Sequence, residues 1–153
     1  MMKKTYLLLM LVILLGCSTT SKKVLDLSNT KTFIIHELLI DKSMSKDELI
    51  LKLNSELDYG YSKKFNTKED LKKLNDYVGS LELNGNDFSF PMAINSIYEV
   101  VLSDQNKKER YFILDYDSDS VSSEFVVVKR DSQKAQVYFG RSKEFRLLKD
   151  SLN

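Results

Sequence analysis

Two stretches in the first half of the chain have apolar residues at helical spacing. Ser45 and Glu48 stand three residues apart, as in the capping box that begins many helices. The apolar residues that follow lie on one helical face, at Leu49, Ile50, Leu53 and Leu57. The same arrangement recurs with a weaker cap at Thr67 and Asp70 and an apolar face at Leu71, Leu74 and Val78. Gly79 is well placed to end this second helix in a left-handed cap.

From Ser80 the apolar residues recur at every second position, which is the spacing of a β-strand. Leu81/Leu83 and Phe88/Phe90 alternate on either side of the hairpin dipeptide Asn84-Gly85, and further β-rich segments follow at 97–102, 110–116, 124–129 and 135–139. Short polar loops between these segments favour an antiparallel meander. Helical spacing returns after Ser142, with Phe145, Leu148 and Leu152 on one side. Residues 32–40 fit either a strand or a short helix.

This order of elements predicts an α+β fold, with an antiparallel meander sheet of about four to six strands packed with two or three helices. The later strands are apolar on both faces: Tyr111 and Ile113 alternate with Phe112 and Leu114. An antiparallel sheet with one face in water should alternate apolar and polar residues. We therefore expect both faces to be covered, by helices on one face or both, by a sheet curled around a pocket, or by a partner protein.

The N-terminal segment has a different pattern, in which a basic start precedes a purely apolar run. Lys3 and Lys4 are followed by residues 6–15, which are almost all Leu, Met, Val or Ile. This arrangement is typical of a secretory signal. A membrane-spanning helix needs about 20 apolar residues, so this run is too short to be one. A helix that packs against a protein core needs a polar face, which this run lacks.

The apolar run ends in Leu14-Leu15-Gly16-Cys17, which resembles the lipobox of bacterial lipoprotein precursors. The resemblance covers the first seventeen residues and implies that the Cys17 thiol receives diacylglycerol and that a peptidase cuts between Gly16 and Cys17. The two acyl chains of diacylglycerol, or three if the new amine also receives an acyl group such as palmitate, are enough for stable anchoring, whereas one chain alone binds membranes only marginally. Ser18 follows the cysteine where an Asp often retains Gram-negative lipoproteins in the inner membrane, so the outer membrane is favoured if the source is Gram-negative.

The resemblance divides the chain into a signal peptide at 1–16, a lipidated cysteine with a flexible tether at 17–31, and a single α+β domain at 32–153. Cleavage would leave 137 residues (153 − 16), which is enough for one domain. Their net charge would be 21 − 22 = −1, because two of the 23 basic residues lie in the leader, so nucleic acid is not an expected partner. Cys17 is the only cysteine, so no disulfide stabilises the domain.

Few residues in the chain could carry catalysis or bind a metal. His36 is the only histidine, and it lies within an apolar segment where a strand position is the simplest interpretation. A Ser-His-Asp triad would have to use it, and no nucleophile motif surrounds any serine. A zinc site usually needs three or four closely spaced ligands of the N, S or O type, which one histidine and one lipidated cysteine do not supply.

Asp115, Asp117 and Asp119 alternate as the first three ligands of a calcium loop do. Ser120 stands where the loop needs glycine, and Val126 stands where a bidentate glutamate belongs. A solvated hairpin loop is therefore the preferred interpretation, and no metal is predicted. The same acids could serve a glycoside hydrolase, but exposed loop acids rarely act as its general acid.

Two kinds of surface residue could contact partners. Small basic clusters occur at 107–110, 129–130 and 141–146, where they fit hairpin ends and a solvated helix face, or anionic headgroups near the anchor. Tyr59-Gly60-Tyr61 could be an exposed aromatic pair, although such tyrosines more often pack over a helix end.

The function expected from these patterns is that of a lipid-anchored cell-envelope lipoprotein with a non-catalytic binding or assembly role. Its expected partners are the membrane, through lipid on Cys17, and an envelope protein, with no cofactor. The first alternative is a carrier or sensor of a small apolar ligand held in a pocket of the curved sheet. An envelope hydrolase that uses the acids around Asp115 is the second alternative.

Overall fold

The computed structural model describes residues 24–41, 43–83, 94–105, 108–116, 123–130, 135–140 and 142–152, with the backbone alone at Lys46 and Ser142. Seven strands are present in this part of the chain: β1 (Phe33–Leu38), β2 (Tyr59–Phe65), β3 (Glu82–Leu83), β4 (Ile94–Leu102), β5 (Glu109–Tyr116), β6 (Ser123–Lys129) and β7 (Ala135–Gly140). Three helices accompany them: α1 (Lys46–Asn54), α2 (Lys68–Gly79) and α3 (Ser142–Lys149). The predicted leader, the predicted Asn84-Gly85 turn and the Phe88/Phe90 segment lie outside the described residues.

The described strands form one antiparallel sheet in the order β2-β1-β4-β5-β6-β7-β3. Strands β4 to β7 make the predicted meander, and the ambiguous segment 32–40 forms strand β1 beside β4. The α+β class is confirmed, but the expected count of four to six strands is too low. Strand β2 was not predicted because Tyr59 to Ser62 are all exposed, so its sequence lacks the apolar alternation of a half-buried strand.

The strand register assigns alternate residues to two faces of the sheet. Face 1 carries Tyr111, Ile113, Phe125 and Val127, which belong to one buried cluster. Face 2 carries Phe112, Leu114, Val126 and Val128, which belong to a second buried cluster. The prediction that these strands are apolar on both faces is therefore confirmed.

Both faces are covered by helices of the same chain. Helices α2 and α3 cover face 1 with Leu74, Tyr77, Val78, Phe145 and Leu148. Helix α1 covers face 2 with Leu49, Ile50 and Leu53. Burying each such side chain contributes roughly 1.5–3 kcal/mol relative to its exposed state, so these contacts hold the helices to the sheet.

Residues 24–31 contact the packed structure, although the sequence pattern predicts a flexible tether over residues 17–31. Leu25 is only 7% exposed in the face 1 cluster, and Val24 and Leu27 pack against it. Thr30 Oγ1 donates a hydrogen bond of 2.5 Å to Asp104. Three apolar residues in a polar stretch were too few to indicate a packed segment from the sequence.

The helix ends agree with the predicted caps in two cases and differ in one. Ser45 and Glu48 form the full capping box of α1, and Thr67 Oγ1 accepts from the Asp70 N–H at 3.1 Å at the start of α2. Gly79 is instead the last residue of α2, and Ser80 caps the helix with right-handed backbone angles. The prediction of a left-handed glycine cap is therefore wrong.

Candidate functional site

The predicted site residues fall into two groups. Gly16 and Cys17 of the lipobox and Asp117 and Asp119 of the calcium-like motif lie outside the described residues. Asp115 is described, and its side chain is buried on face 1 rather than exposed in a loop. Within the described ranges, no group of three His, Cys, Asp or Glu side chains is placed to hold a metal ion.

Asp115 connects the sheet to the last turn of α3. Its Oδ2 atom lies 2.5 Å from Lys149 Nζ and also accepts a hydrogen bond of 3.3 Å from Asn95 Nδ2. A lysine in the last turn also interacts favourably with the negative end of the helix dipole. Asp115 therefore positions α3 on face 1, which the interpretation as a solvated loop acid did not anticipate.

His36 lies on face 2, on the opposite side of the sheet from Asp115. Its Nδ1 atom lies 2.6 Å from Ser62 Oγ on the neighbouring strand, and its ring stacks on Tyr59 with 4.3 Å between centroids. Glu99 is its cross-strand neighbour on β4. Both carboxylate oxygens of Glu99 have other donors, so the described contacts join His36 to a serine and a tyrosine but not to an acid.

Glu99 and Arg110 form a buried polar network beneath the end of α1. Arg110 Nε donates to Glu99 Oε1 at 2.7 Å, and Arg110 Nη1 donates to the carbonyls of Leu53 and Ser55 at 2.8 Å each. Tyr59 Oη donates to the other Glu99 oxygen at 2.6 Å. Burial, followed by this hydrogen bond, raises the pKa of Tyr59 to about 12. Arg110 therefore caps α1, in contrast to the exposed hairpin-end role expected of its cluster.

Tyr59 and Tyr61 do not form one aromatic surface, because a β-bulge separates them. Tyr59 pairs with Leu38 and Tyr61 pairs with Glu37, so Gly60 is the extra residue and the two rings lie on opposite faces. An added Cβ at Gly60 would lie 2.9 Å from Leu39 Cδ2, at the end of an exposed side chain that would have to shift. Tyr61 Oη donates to the Leu152 carbonyl at 3.2 Å, just beyond α3.

The outer surface of α2 and α3 contains two clefts that meet at one exposed leucine. Leu147 is 49% exposed and lines both clefts. The larger cleft has a volume of about 590 Å³ and is lined by Lys73, Asn75, Asp76, Gly79, Ser80, Leu81, Glu82, Lys143, Glu144 and Leu147. The smaller one, of about 510 Å³, lies on the β2 side and includes Phe65, Thr67 and Ser151. We call the two clefts together with Leu147 the α2–α3 surface.

Glu144 is one of the acidic residues that line the larger cleft. Its Oε2 atom is shielded from solvent and has no hydrogen-bond partner in the described structure. Neither Glu144 nor Leu147 stands out in the sequence as a functional residue. The sequence does show that Leu147 lies off the apolar side of α3 that Phe145 and Leu148 define. It does not show that α2 packs beside α3.

Comparison with known proteins identifies no relative from which a function could be proposed, so the proposal depends on the sequence and the structure. No protein-family model, curated protein or solved structure gives a significant match to this chain. Within the described ranges, no helix has both the length and the apolar character needed to cross a membrane.

Proposed function

We propose that this chain is a lipid-anchored cell-envelope lipoprotein with a non-catalytic binding or assembly role, and that its α2–α3 surface contacts a protein partner. The anchor is supported by the basic start, the apolar run and the lipobox that ends at Cys17. Lipid on this cysteine would hold the domain in the cell envelope, with the outer membrane favoured if the source is Gram-negative.

One observation carries the binding role: an exposed leucine lies between two clefts that have charged rims. An apolar anchor surrounded by polar residues is the usual arrangement at a protein–protein interface. Lys63, Lys73, Lys143 and Asp150 supply charges at this rim. Because the described faces of the sheet are packed with the chain's own helices, this outer surface is a better place for a partner than an internal ligand pocket.

The short distance from Cys17 to the packed domain supports a partner at the membrane. From position 17 to Val24 there are seven residue steps (24 − 17), which span at most about 25 Å when fully extended. A domain that began at residue 32 would have more than twice this reach. The anchored domain therefore stays close to the bilayer and is suited to a partner embedded in or bound to the same membrane.

Site-specific photocrosslinking in the native host tests the proposed surface. A photoreactive amino acid is placed at position 147, and at Leu51 as the matched control. Leu51 is also an exposed leucine on a helix, 53% exposed, but α1 carries it on the other side of the sheet. We expect a discrete protein adduct from position 147 and none from position 51. Equal adducts from both positions, or none from either, would remove the support for this surface.

A further inference from the structure

We propose that the outer edge of strand β2 binds an acidic, extended segment of the protein partner as an added strand of the sheet. This inference rests on the proposed function, because the edge borders the smaller cleft of the α2–α3 surface, which Lys63 and Lys64 help to line. It adds the conformation and the charge of the partner segment that is recognised.

The first argument begins with the direction in which the backbone of β1 points. Within the described ranges, β1 is the only strand that pairs with β2. Ser103 N–H donates to the Thr32 carbonyl at 2.9 Å, so the backbone of Thr32 faces β4. Backbone groups alternate between the two neighbours along an antiparallel strand, so Phe33 faces β2, where it pairs with Phe65.

The same alternation along β2 decides which of its backbone groups bond β1. Phe65 and Lys63 face β1, so the backbones of Lys64 and Ser62 point away from the sheet. Both outward-pointing residues are exposed. Each has one N–H donor and one carbonyl acceptor, so a segment that pairs here can form four backbone hydrogen bonds. Addition of a strand to an open sheet edge is a recurring mode of peptide recognition.

The second argument is that contacts of the same chain already hold this edge in place. On face 1, the Leu152 carbonyl lies 3.2 Å from Tyr61 Oη and 3.4 Å from Lys63 Nζ, so the strand is joined to the segment just beyond α3. On face 2, Ser62 Oγ lies 2.6 Å from His36 Nδ1. A preorganised strand loses less conformational freedom on binding, which favours association with an extended segment.

The third argument is the charge of the edge. Strand β2 contains Lys63 and Lys64 and no acid. Lys64 is exposed, and no contact within the described residues engages its ammonium group. The acids that line the adjoining cleft lie with α2 and α3 on face 1, whereas the side chain of Lys64 is on face 2. Lysines at an edge discourage pairing with a second copy of the chain, so this edge favours an acidic partner segment.

A peptide titration tests the inference. The full chain is purified from membranes in detergent and titrated with the acetylated and amidated hexapeptide Thr-Val-Glu-Glu-Val-Thr, while backbone amide signals are followed by NMR. The matched peptide has Lys-Lys in place of Glu-Glu. We expect saturable shifts centred on residues 61–65 with the acidic peptide and none with the basic peptide.

Substitutions at Lys64 separate the charge from the backbone contact. Lys64→Ala removes the charge and should weaken binding of the acidic peptide by about twofold to fivefold. Lys64→Pro also removes the outward N–H while the bonds to β1 remain, and it should weaken binding by about a further fivefold. Lys72→Ala, which removes an exposed lysine of α2, should leave binding unchanged. Circular dichroism checks that each variant remains folded.

A modified peptide tests the backbone contact without any change to the protein, so the test holds even if Lys64→Pro does not fold. Methylation of both valine amides of the acidic peptide removes one donor that faces the edge, whichever alternate set of its amides points toward β2. We expect this peptide to bind more weakly than the unmethylated one, by about fivefold or more.

The outcomes separate this inference from the proposed function. Equal binding of the acidic and basic peptides, or undiminished binding to Lys64→Ala, would overturn the acidic assignment. Undiminished binding of the methylated peptide would overturn strand addition. A dimer of the full chain that light scattering detects, and that Lys64→Pro abolishes, would assign the edge to a second copy instead. A crosslinked adduct at position 147 without any peptide binding would retain the partner surface and reject this mode of recognition alone.

Discussion

Glu99 and Arg110, on the neighbouring strands β4 and β5, form an ion pair in which 2.7 Å separates Oε1 and Nε, and both side chains are buried. The pair connects the sheet to the C-terminal end of α1 through the Leu53 and Ser55 carbonyls. Lys149 and Asp115 make the corresponding connection between α3 and the opposite face. Each of these two helices is therefore held at its end by a basic side chain paired with an acid of the sheet.

Glu99→Ala should strongly destabilise the domain, because it leaves the Arg110 charge buried without its acid. Breaking a buried ion pair by removing one partner typically costs about 3–5 kcal/mol. Urea unfolding followed by circular dichroism measures the change. Lys72→Ala is the matched control: it breaks the exposed pair with Asp76, and its unfolding midpoint should remain that of the wild type. Equal effects of the two substitutions would show that burial does not matter here.

Two glycine-to-alanine substitutions should change stability in opposite directions. An added Cβ at Gly140 would lie 2.5 Å from Tyr77 Cε2 and 2.7 Å from Ser123 Oγ, in the buried contact where the Tyr77 and Ser123 hydroxyls lie 3.0 Å apart. Gly140→Ala should therefore lower the free energy of unfolding by about 1–3 kcal/mol through overpacking.

At Gly79 an added Cβ meets nothing within 4 Å. Because this residue ends the helix with right-handed geometry, Gly79→Ala should raise stability by about 0.5–1 kcal/mol. Thermal unfolding of the Gly79→Ala and Gly140→Ala variants measures both changes in stability. A destabilised Gly79→Ala variant would indicate the left-handed cap that the structure does not show.

Leu147 and Leu148 are adjacent in α3, and substituting each in turn should separate an effect on binding from an effect on stability. Leu148 is 1% exposed in the face 1 cluster, so Leu148→Ala should cost about 2–5 kcal/mol. Leu147→Ala should change the unfolding free energy by less than about 0.5 kcal/mol, since this side chain is largely outside the core. Chemical unfolding and binding of a hydrophobic dye check both variants. A large stability loss in Leu147→Ala would mean that this leucine is a core residue and not a contact residue.

The stability of the domain should fall in alkaline solution, partly because the Tyr59 hydroxyl ionises. Burial and the hydrogen bond to Glu99 raise the pKa of Tyr59 from 10.0 to about 12. The unfolded chain therefore loses this proton first, so the contribution of the neutral phenol is complete below pH 10 and is lost as the pH rises through 12. Unfolding free energies measured at intervals from pH 9 to 12 should fall less steeply in Tyr59→Phe than in the wild type. Equal slopes would show that the ionisation of Tyr59 does not contribute.

The sequence predicted those parts of the fold that depend on local pattern. The capping box of Ser45 and Glu48 needs only four residues, and it is present. The two-faced strands follow from alternation, and Phe112 and Ile113 do lie in different buried clusters. Face coverage by helices was one of several options, and the choice depends on tertiary packing that no single segment reveals.

The parts that failed depend on neighbours distant in sequence. The polar residues of β2 form a strand because β1 supplies hydrogen-bonding partners along its length. Arg110 is buried because Glu99 and the end of α1 meet it. The α2–α3 surface was not predicted for the same reason, since Leu147 and Glu144 line a cleft only because α2 packs alongside α3.

Metabolic labelling of the chain with a fatty acid in its native host, compared with Cys17→Ser, tests the central claim most directly. Because the anchor is proposed to depend on this one thiol, the wild type should incorporate label and remain with the membrane fraction. Cys17→Ser should incorporate none and keep its uncleaved leader. Equal incorporation of label into the two proteins would contradict the lipoprotein assignment and the membrane-bound role that follows from it.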